Sequence, residues 1–252
     1  MVDDALVSII TPAWKAEAFI RATIDSVMAQ TYPHWEMIIV DDCSPDNTAA
    51  IVDAIALKDP RVRLVRHTQN GGPATARNTA VTAARGRWIA MLDSDDQWLP
   101  TKLEQQLAFH KQVGGKLTYT AYRRITADGE RLGQLIQVPP SLTYTQLLGN
   151  TAIATSTTLI DRHVAGDIHF KKIYYDDFGC WLDLLRDGSQ AHGLQEDLMR
   201  YRVVSNSVSR NKWHSAKQVW KTYRQVEKFH RIRALYHFMG YASHALLKYK
   251  QL

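Results

Sequence analysis

Residues 87–99 read RWIAMLDSDDQWL: an apolar run, then Asp93, Asp95 and Asp96 within four positions. Carboxylates at that spacing repel one another, so the end of this run calls for a cation or the positive end of a helix. One reading is a solvated turn in which an aspartate caps a helix over residues 100–113. The other is a divalent ion held by carboxylate and bridging a diphosphate. Mg²⁺ or Mn²⁺ takes one or two carboxylates and completes its shell with phosphate oxygens and water. Position favours the second reading, because other acids gather at equivalent places along the chain.

Asp41 and Asp42 end another apolar run, WEMIIVDD. They read either as caps for the helix that follows or as acceptors for the N–H of a base and the hydroxyls of a ribose. Trp14, just past a third such run, is either core or a wall of the same pocket. NGGPATARN (70–78) sets glycines before a helix whose first amides can face an anion. It is neither a Walker loop nor GxGxxG, and Arg77 within it pairs with a phosphate or with a surface acid. In YYDDFGCWLDLLRDG (174–188), Asp176 and Asp177 suit a helix N-cap and first turn. They equally suit a general base accepting a proton from an attacking hydroxyl. YRVVSNSVSRNK (201–212) reads as a polar loop, either a linker or a cover for a diphosphate.

The elements that must hold these residues follow from periodicity. LVSIITP (6–12), WEMIIVDD, RVRLVRH and WIAML read as buried strands. Helical spacing over 16–30, a helix opened by Ser44-Pro45-Asp46, and GGPATARNTAVTAARG alternate with them. That alternation predicts an α/β fold with a doubly wound, mostly parallel sheet, whose ligand crevice lies at the carboxyl ends of the strands. Trp14, Asp41, Asp42 and the Asp93–Asp96 cluster all fall there. After residue 115 the pattern fades into a hairpin around Asp128-Gly129, a strand at TSTTLID, a helix over 176–187 ended by Gly188, and a helical tail from 213.

Apolar residues make up 45% of the 252, enough for a core, and no run is long enough to span a membrane. Cys43 and Cys180 lack zinc spacing and read as reduced thiols of a cytoplasmic protein. The acidic N-terminus does not resemble a signal peptide. From Lys212 onward there are nine Lys or Arg and one acid, leaving 22 basic and 24 acidic residues in the rest. A near-neutral body excludes a nucleic-acid groove. A basic tail with Leu235, Phe238, Met239, Leu246 and Tyr249 on one face points to an anionic surface such as membrane lipid, or to packing on protein.

In this order and spacing, VSIITPAW, QTYPHWEMIIVDDCSPDNT, NGGPATARNTA, GRWIAMLDSDDQWLPTKLEQQ and DDFGCWLDLL resemble family 2 glycosyltransferases of the GT-A fold. KLTYTAYRRI and YRVVSNSVSRNK look most like the bacterial subgroup that makes teichuronic acid and related surface polysaccharides. The resemblance spans about residues 7–212 and implies a metal-dependent, inverting transfer from a UDP-sugar to a glycan or lipid-linked oligosaccharide acceptor. It implies a Rossmann-like GT-A domain over 1–212, with a nucleotide-sugar half to about 115 and an acceptor half beyond, followed by the basic helical extension 213–252. Carried over by position, Pro12, Trp14 and Asp42 surround base and ribose, and Arg77 approaches the nucleotide. Asp95 serves ribose and metal, with Asp93 and Asp96 in the metal motif, while Asp177 is the catalytic base. The chain has Trp14-Lys15 where the family often has Tyr-Asn, and Asp176-Asp177 where it usually has Glu-Asp. A sugar nucleotidyltransferase would need a Gly-rich loop after the first strand, which TPAWKAEAF lacks. A non-catalytic nucleotide-sugar-binding module would be expected to lose the base, and Asp177 is present.

Overall fold

The computed structural model of the chain describes residues 5–204 and 212–249. Its first half is four parallel strands, β1 (Val7–Ala13), β2 (Trp35–Asp41), β3 (Val62–Arg66) and β4 (Trp88–Met91), in the spatial order β3-β2-β1-β4. Helices α1 (Ile20–Met28), α2 (Thr48–Ala56) and α3 (Pro73–Ala83) make the crossovers. Successive strand residues point to opposite faces. Accordingly Ile10, Ile38, Val40, Ile89 and Met91 join one apolar cluster with α3, while Val7, Ile9, Met37, Ile39 and Ala90 join another with α1 and α2. Covering both faces is what makes these strands near-continuous apolar runs.

Beyond β5 (Gln97–Trp98) and α4 (Lys102–Val113) the sheet becomes mixed. β6 (Leu117–Thr126) and β7 (Leu132–Ile136) form the expected hairpin, with Gly129 at φ 81° in its turn. β8 (Ser141–Thr143) and α5 (Tyr144–Leu148) follow, and β9 (Leu159–Asp161) runs antiparallel to both β4 and β6, welding the halves into one sheet. After α6 (Arg162–Ala165) and α7 (Asp176–Leu185), β10 (Gln190–Val203) pairs in parallel with β6 and antiparallel with β5 and β8. Among the described residues the tail is helical: α8 (Lys212–Lys221), a wide turn over Thr222–Val226, and α9 (Arg231–Tyr249).

Three local expectations are corrected. TSTTLID is a strand only over Leu159–Asp161; Thr155–Thr157 form one 3₁₀ turn. Thr157 and Thr158 hydroxyls donate to the carbonyls of Ala154 and Thr155, drawing the backbone away from a ladder. Tyr201–Val203, read as loop, end the long strand β10, whose alternation is hidden by register shifts around Asp197. Ser205–Asn211 of the same stretch lie outside the described residues. Finally, no aspartate stands at the N-cap of α4 or α7: Thr101 and Tyr175 occupy those positions, and Asp176 and Asp177 lie in the first turn of α7 instead.

Candidate active site

The carboxyl end of β1 outruns β4. β4 pairs with β1 only as far as Ile10, so from Thr11 onward one edge of β1 is free of it, and Pro12, without an N–H, costs no ladder bond on that side. Trp14 follows, half exposed, with the Lys15 ammonium 4.5 Å from its ring centroid. It is therefore not core.

Asp42 is buried and heavily used. Its carboxylate accepts from the amides of Gly71 (2.9 Å) and Gly72 (2.7 Å) and contacts His67 Nδ1 (2.6 Å). His67 Nε2 reaches Thr79 Oγ1 on α3 (2.9 Å). Asp42 therefore ties the end of β2 to the loop that starts α3. Gly72 sits at φ 82°, a left-handed conformation that favours glycine. At Asp41, Oδ2 accepts from Ser44 N–H, whereas Oδ1 is buried without a partner. Of the two acids, Asp41 holds the acceptor still open.

Arg77 lies at the centre. Small residues Ala74, Ala76 and Ala80 let α3 sit close on the sheet, and the guanidinium enters the interior between two acids. It donates Nη1 to Asp176 (2.6 Å) and Nη2 to Asp93 (2.7 Å). Burial alone would lower its pKa, but Asp93, Asp176 and Asp177 outweigh that and raise it, so Arg77 is a permanent cation. In Asp176 burial dominates and raises the carboxyl, Arg77 opposes, and Asp177 adds to the rise. The 3₁₀ turn completes the frame. Thr155 Oγ1 donates to Asp177 Oδ2 (2.6 Å), and Ser156 Oγ accepts from Asp93 N–H (3.0 Å). One arginine and one turn thus join the Asp93 loop to the start of α7.

The three aspartates of the loop do different things. Asp93 is about one-third exposed, with one oxygen on Arg77. Asp95 offers Arg202 Nε its backbone carbonyl (2.8 Å), leaving its half-buried carboxylate to other partners. Asp96 is buried and accepts from Arg202 N–H (2.9 Å), holding β10 to the loop. Burial first, then Asp93, pushes Asp95 up to about 6. Burial, Asp95 and Asp93 raise Asp96 well above the usual range. No group of three His, Cys, Asp or Glu suited to a metal is gathered among the described residues. Asp95 with Asp93 is the donor set that fits a hard dication completed by phosphate oxygens, and such an ion would relieve the repulsion that raises Asp95.

A pH test follows from the sign of that shift. Asp95 titrates higher folded than unfolded, so its neutral form contributes stability that is full below about 3.8 and lost as pH rises through about 6. In EDTA, Asp95→Asn should therefore be more stable than the natural chain at pH 7, with the gap closing as pH falls. Denaturant unfolding at both pH values measures it. A gap that is absent, or that widens in acid, refutes the assignment.

The sequence model of glycosyl transferase family 2 fits residues 8–168. The chain belongs to this family. A Bacillus subtilis family member named for teichuronic acid biosynthesis, TuaG, is 44% identical over 96% of this chain and 97% of its own. An Escherichia coli protein named UDP-Glc:α-D-GlcNAc-diphosphoundecaprenol β-1,3-glucosyltransferase WfgD is 37% identical, over 87% of this chain and 85% of its own. Among solved structures, Staphylococcus aureus TarS 1–349 in complex with UDP-GlcNAc superposes with a TM-score of 0.70, at 18% identity, over 94% of this chain and 71% of its own. The fold is that of the GT-A glycosyltransferases, as the motifs implied, and the chain is a glycosyltransferase of bacterial surface polysaccharide synthesis.

Within this family 2 member the structure brings Asp93, Arg77, Asp176 and Asp177 together around one turn. It puts Pro12, Trp14 and Asp42 at the ends of β1 and β2. Thr155, Ser156, His67 and Arg202 did not stand out in the sequence. Hydroxyls in TSTT are the one signal that could have marked a turn instead of a strand.

Proposed function

We propose that the chain transfers a sugar with inversion from a UDP-sugar to a hydroxyl of a lipid-linked glycan. The observation that carries this reading is Arg77, which binds the Asp93 loop and the α7 start into one unit. Trp14, Pro12 and the Asp41–Asp42 end of β2 would hold base and ribose. Asp95 and Asp93 would hold Mn²⁺ or Mg²⁺, which when bound neutralises the diphosphate and the charge developing on the departing UDP. Asp177 takes the acceptor hydroxyl's proton as its oxygen bonds to the anomeric carbon and the bond to UDP breaks. Asp177 is partly exposed and held by Thr155, whereas Asp176 is buried on Arg77, so the first can meet an acceptor and the second cannot.

The acceptor class rests on relatives named for diphosphoundecaprenol substrates. Their β-linked product from UDP-glucose, whose sugar is α-linked, supports inversion. A Pyrobaculum calidifontis mannosyltransferase neighbour in complex with GDP-Man and Mn²⁺, similar in fold, supports the metal. The free thiols of Cys43 and Cys180 are consistent with work on the cytoplasmic side. No helix among the described residues is long and apolar enough to cross a membrane; a peripheral contact at the inner face is what this reading needs.

A thermal-shift series over nucleotides tests it. UDP with Mn²⁺ at about 100 times its Kd should stabilise the protein by about 2.7 kcal/mol, and EDTA should remove most of that gain. A gain with GDP and none with UDP, or a UDP gain untouched by EDTA, overturns the donor or the metal assignment respectively.

A further inference from the structure

The tail splits its apolar residues between two faces, and not along the stripe that periodicity suggested. Ala234 and His237 are buried, while Phe238 and Tyr241 pack on the main cluster, Phe238 edge-on to Trp220 at 5.6 Å. On the other side, Ile232, Leu235, Tyr236 and Met239 run at i, i+3, i+4 and i+7 and are 50–78% exposed. The side chains of Leu246 and Tyr249 lie outside the described residues. Phe238 thus belongs to the core, and the outward ridge draws in Ile232 and Tyr236 instead.

Arg231 and Arg233, on either side of Ile232 in α9, are exposed, as is Lys228 just before the helix. Glu227, the one acid after Lys212, is turned inward onto Arg186 (2.9 Å) and the Tyr144 hydroxyl. A helix with an apolar ridge, basic flanks and no outward acid has the composition of one that lies in a lipid interface. Tyr236 suits the headgroup level. The opposite face of α9 packs on the protein's own core, so the ridge faces outward.

The same tail adjoins the base. The His214 ring is 4.8 Å from that of Tyr174, and Tyr175 and Tyr241 both pack against the main apolar cluster. Tyr175 directly precedes Asp176 and Asp177. We propose that Ile232, Leu235, Tyr236 and Met239 seat the enzyme on an anionic bilayer, fixing the helix that carries Asp177 to the surface that presents the acceptor. The second clause rests on the lipid-linked acceptor reading; the seating itself does not.

The test compares the full chain with Ile232→Glu/Met239→Glu in co-sedimentation with vesicles of phosphatidylglycerol and phosphatidylcholine, and of phosphatidylcholine alone. The natural chain should bind the anionic vesicles, release in high salt, and bind about tenfold or more tightly than the double variant. Both proteins should bind UDP–Mn²⁺ equally in calorimetry, which shows that the variant is folded. Equal sedimentation of the two proteins, or no binding by the natural chain, overturns the proposal. So does light scattering that finds a dimer which the double variant loses, since a second copy would then cover the ridge. Failure of both to bind UDP–Mn²⁺ would count against the donor reading while leaving the vesicle result to decide the seating.

Discussion

Asp177→Asn should lower transfer by about 10²–10⁴-fold, the usual contribution of a positioned general base, with little change in UDP affinity. The asparagine keeps shape, and its carbonyl oxygen can still accept from Thr155 Oγ1, so the frame of the site survives. What disappears is the acceptor for the hydroxyl proton. Asp176 cannot substitute. It is buried, and the Nη1 of Arg77 holds it at 2.6 Å, whereas Asp177 is partly exposed. The measurement is a radiolabelled transfer assay beside calorimetry of UDP–Mn²⁺. Near-normal turnover in Asp177→Asn, or normal stability with complete loss of turnover in Asp176→Asn, would place the base on the other aspartate.

Arg77→Met should cost about 3–5 kcal/mol of stability, the range for removing one partner of a buried pair. Asp93 is about one-third exposed and can turn to water, so most of the cost falls on Asp176, whose side chain is 6% exposed. That locates the penalty and suggests a rescue. Arg77→Met/Asp176→Asn should recover part of the lost stability, because no buried carboxylate is left unpaired. Activity should not return, since the guanidinium that links Asp93 to the start of α7 is gone and only the turn still joins them. Arg77→Lys should also fail to restore turnover, as one ammonium lacks the planar fork that reaches both carboxylates. Denaturant unfolding and the transfer assay separate these effects. A loss below about 1 kcal/mol in Arg77→Met, the scale of exposed pairs, would show that the clamp is not a buried ion pair in solution.

What the sequence determined by itself is the first half of the fold and the place of its acids at the strand ends. β1, β2 and β4 are largely apolar runs because both faces of the sheet are covered there, and that pattern is written locally. The acids of the crevice follow directly from it, since Asp41, Asp42 and Asp93 stand at or just past strand ends. Only the tertiary structure decided which acid does what. Arg77 and Asp176 are 99 residues apart, and no periodicity records that they meet. Asp96 and Asp95 are neighbours in the chain, yet one turns its carboxylate inward to β10 while the other meets Arg202 only through its backbone carbonyl. The turn that holds Asp177 reads as strand because threonine favours strands, until its hydroxyls find nearby carbonyls. In α9 the apolar residues on both sides satisfy one helical count, and only contact with the core distinguishes Phe238 from Met239. Local patterning encodes how much of a segment is buried; the identity of what it is buried against is a property of the folded chain.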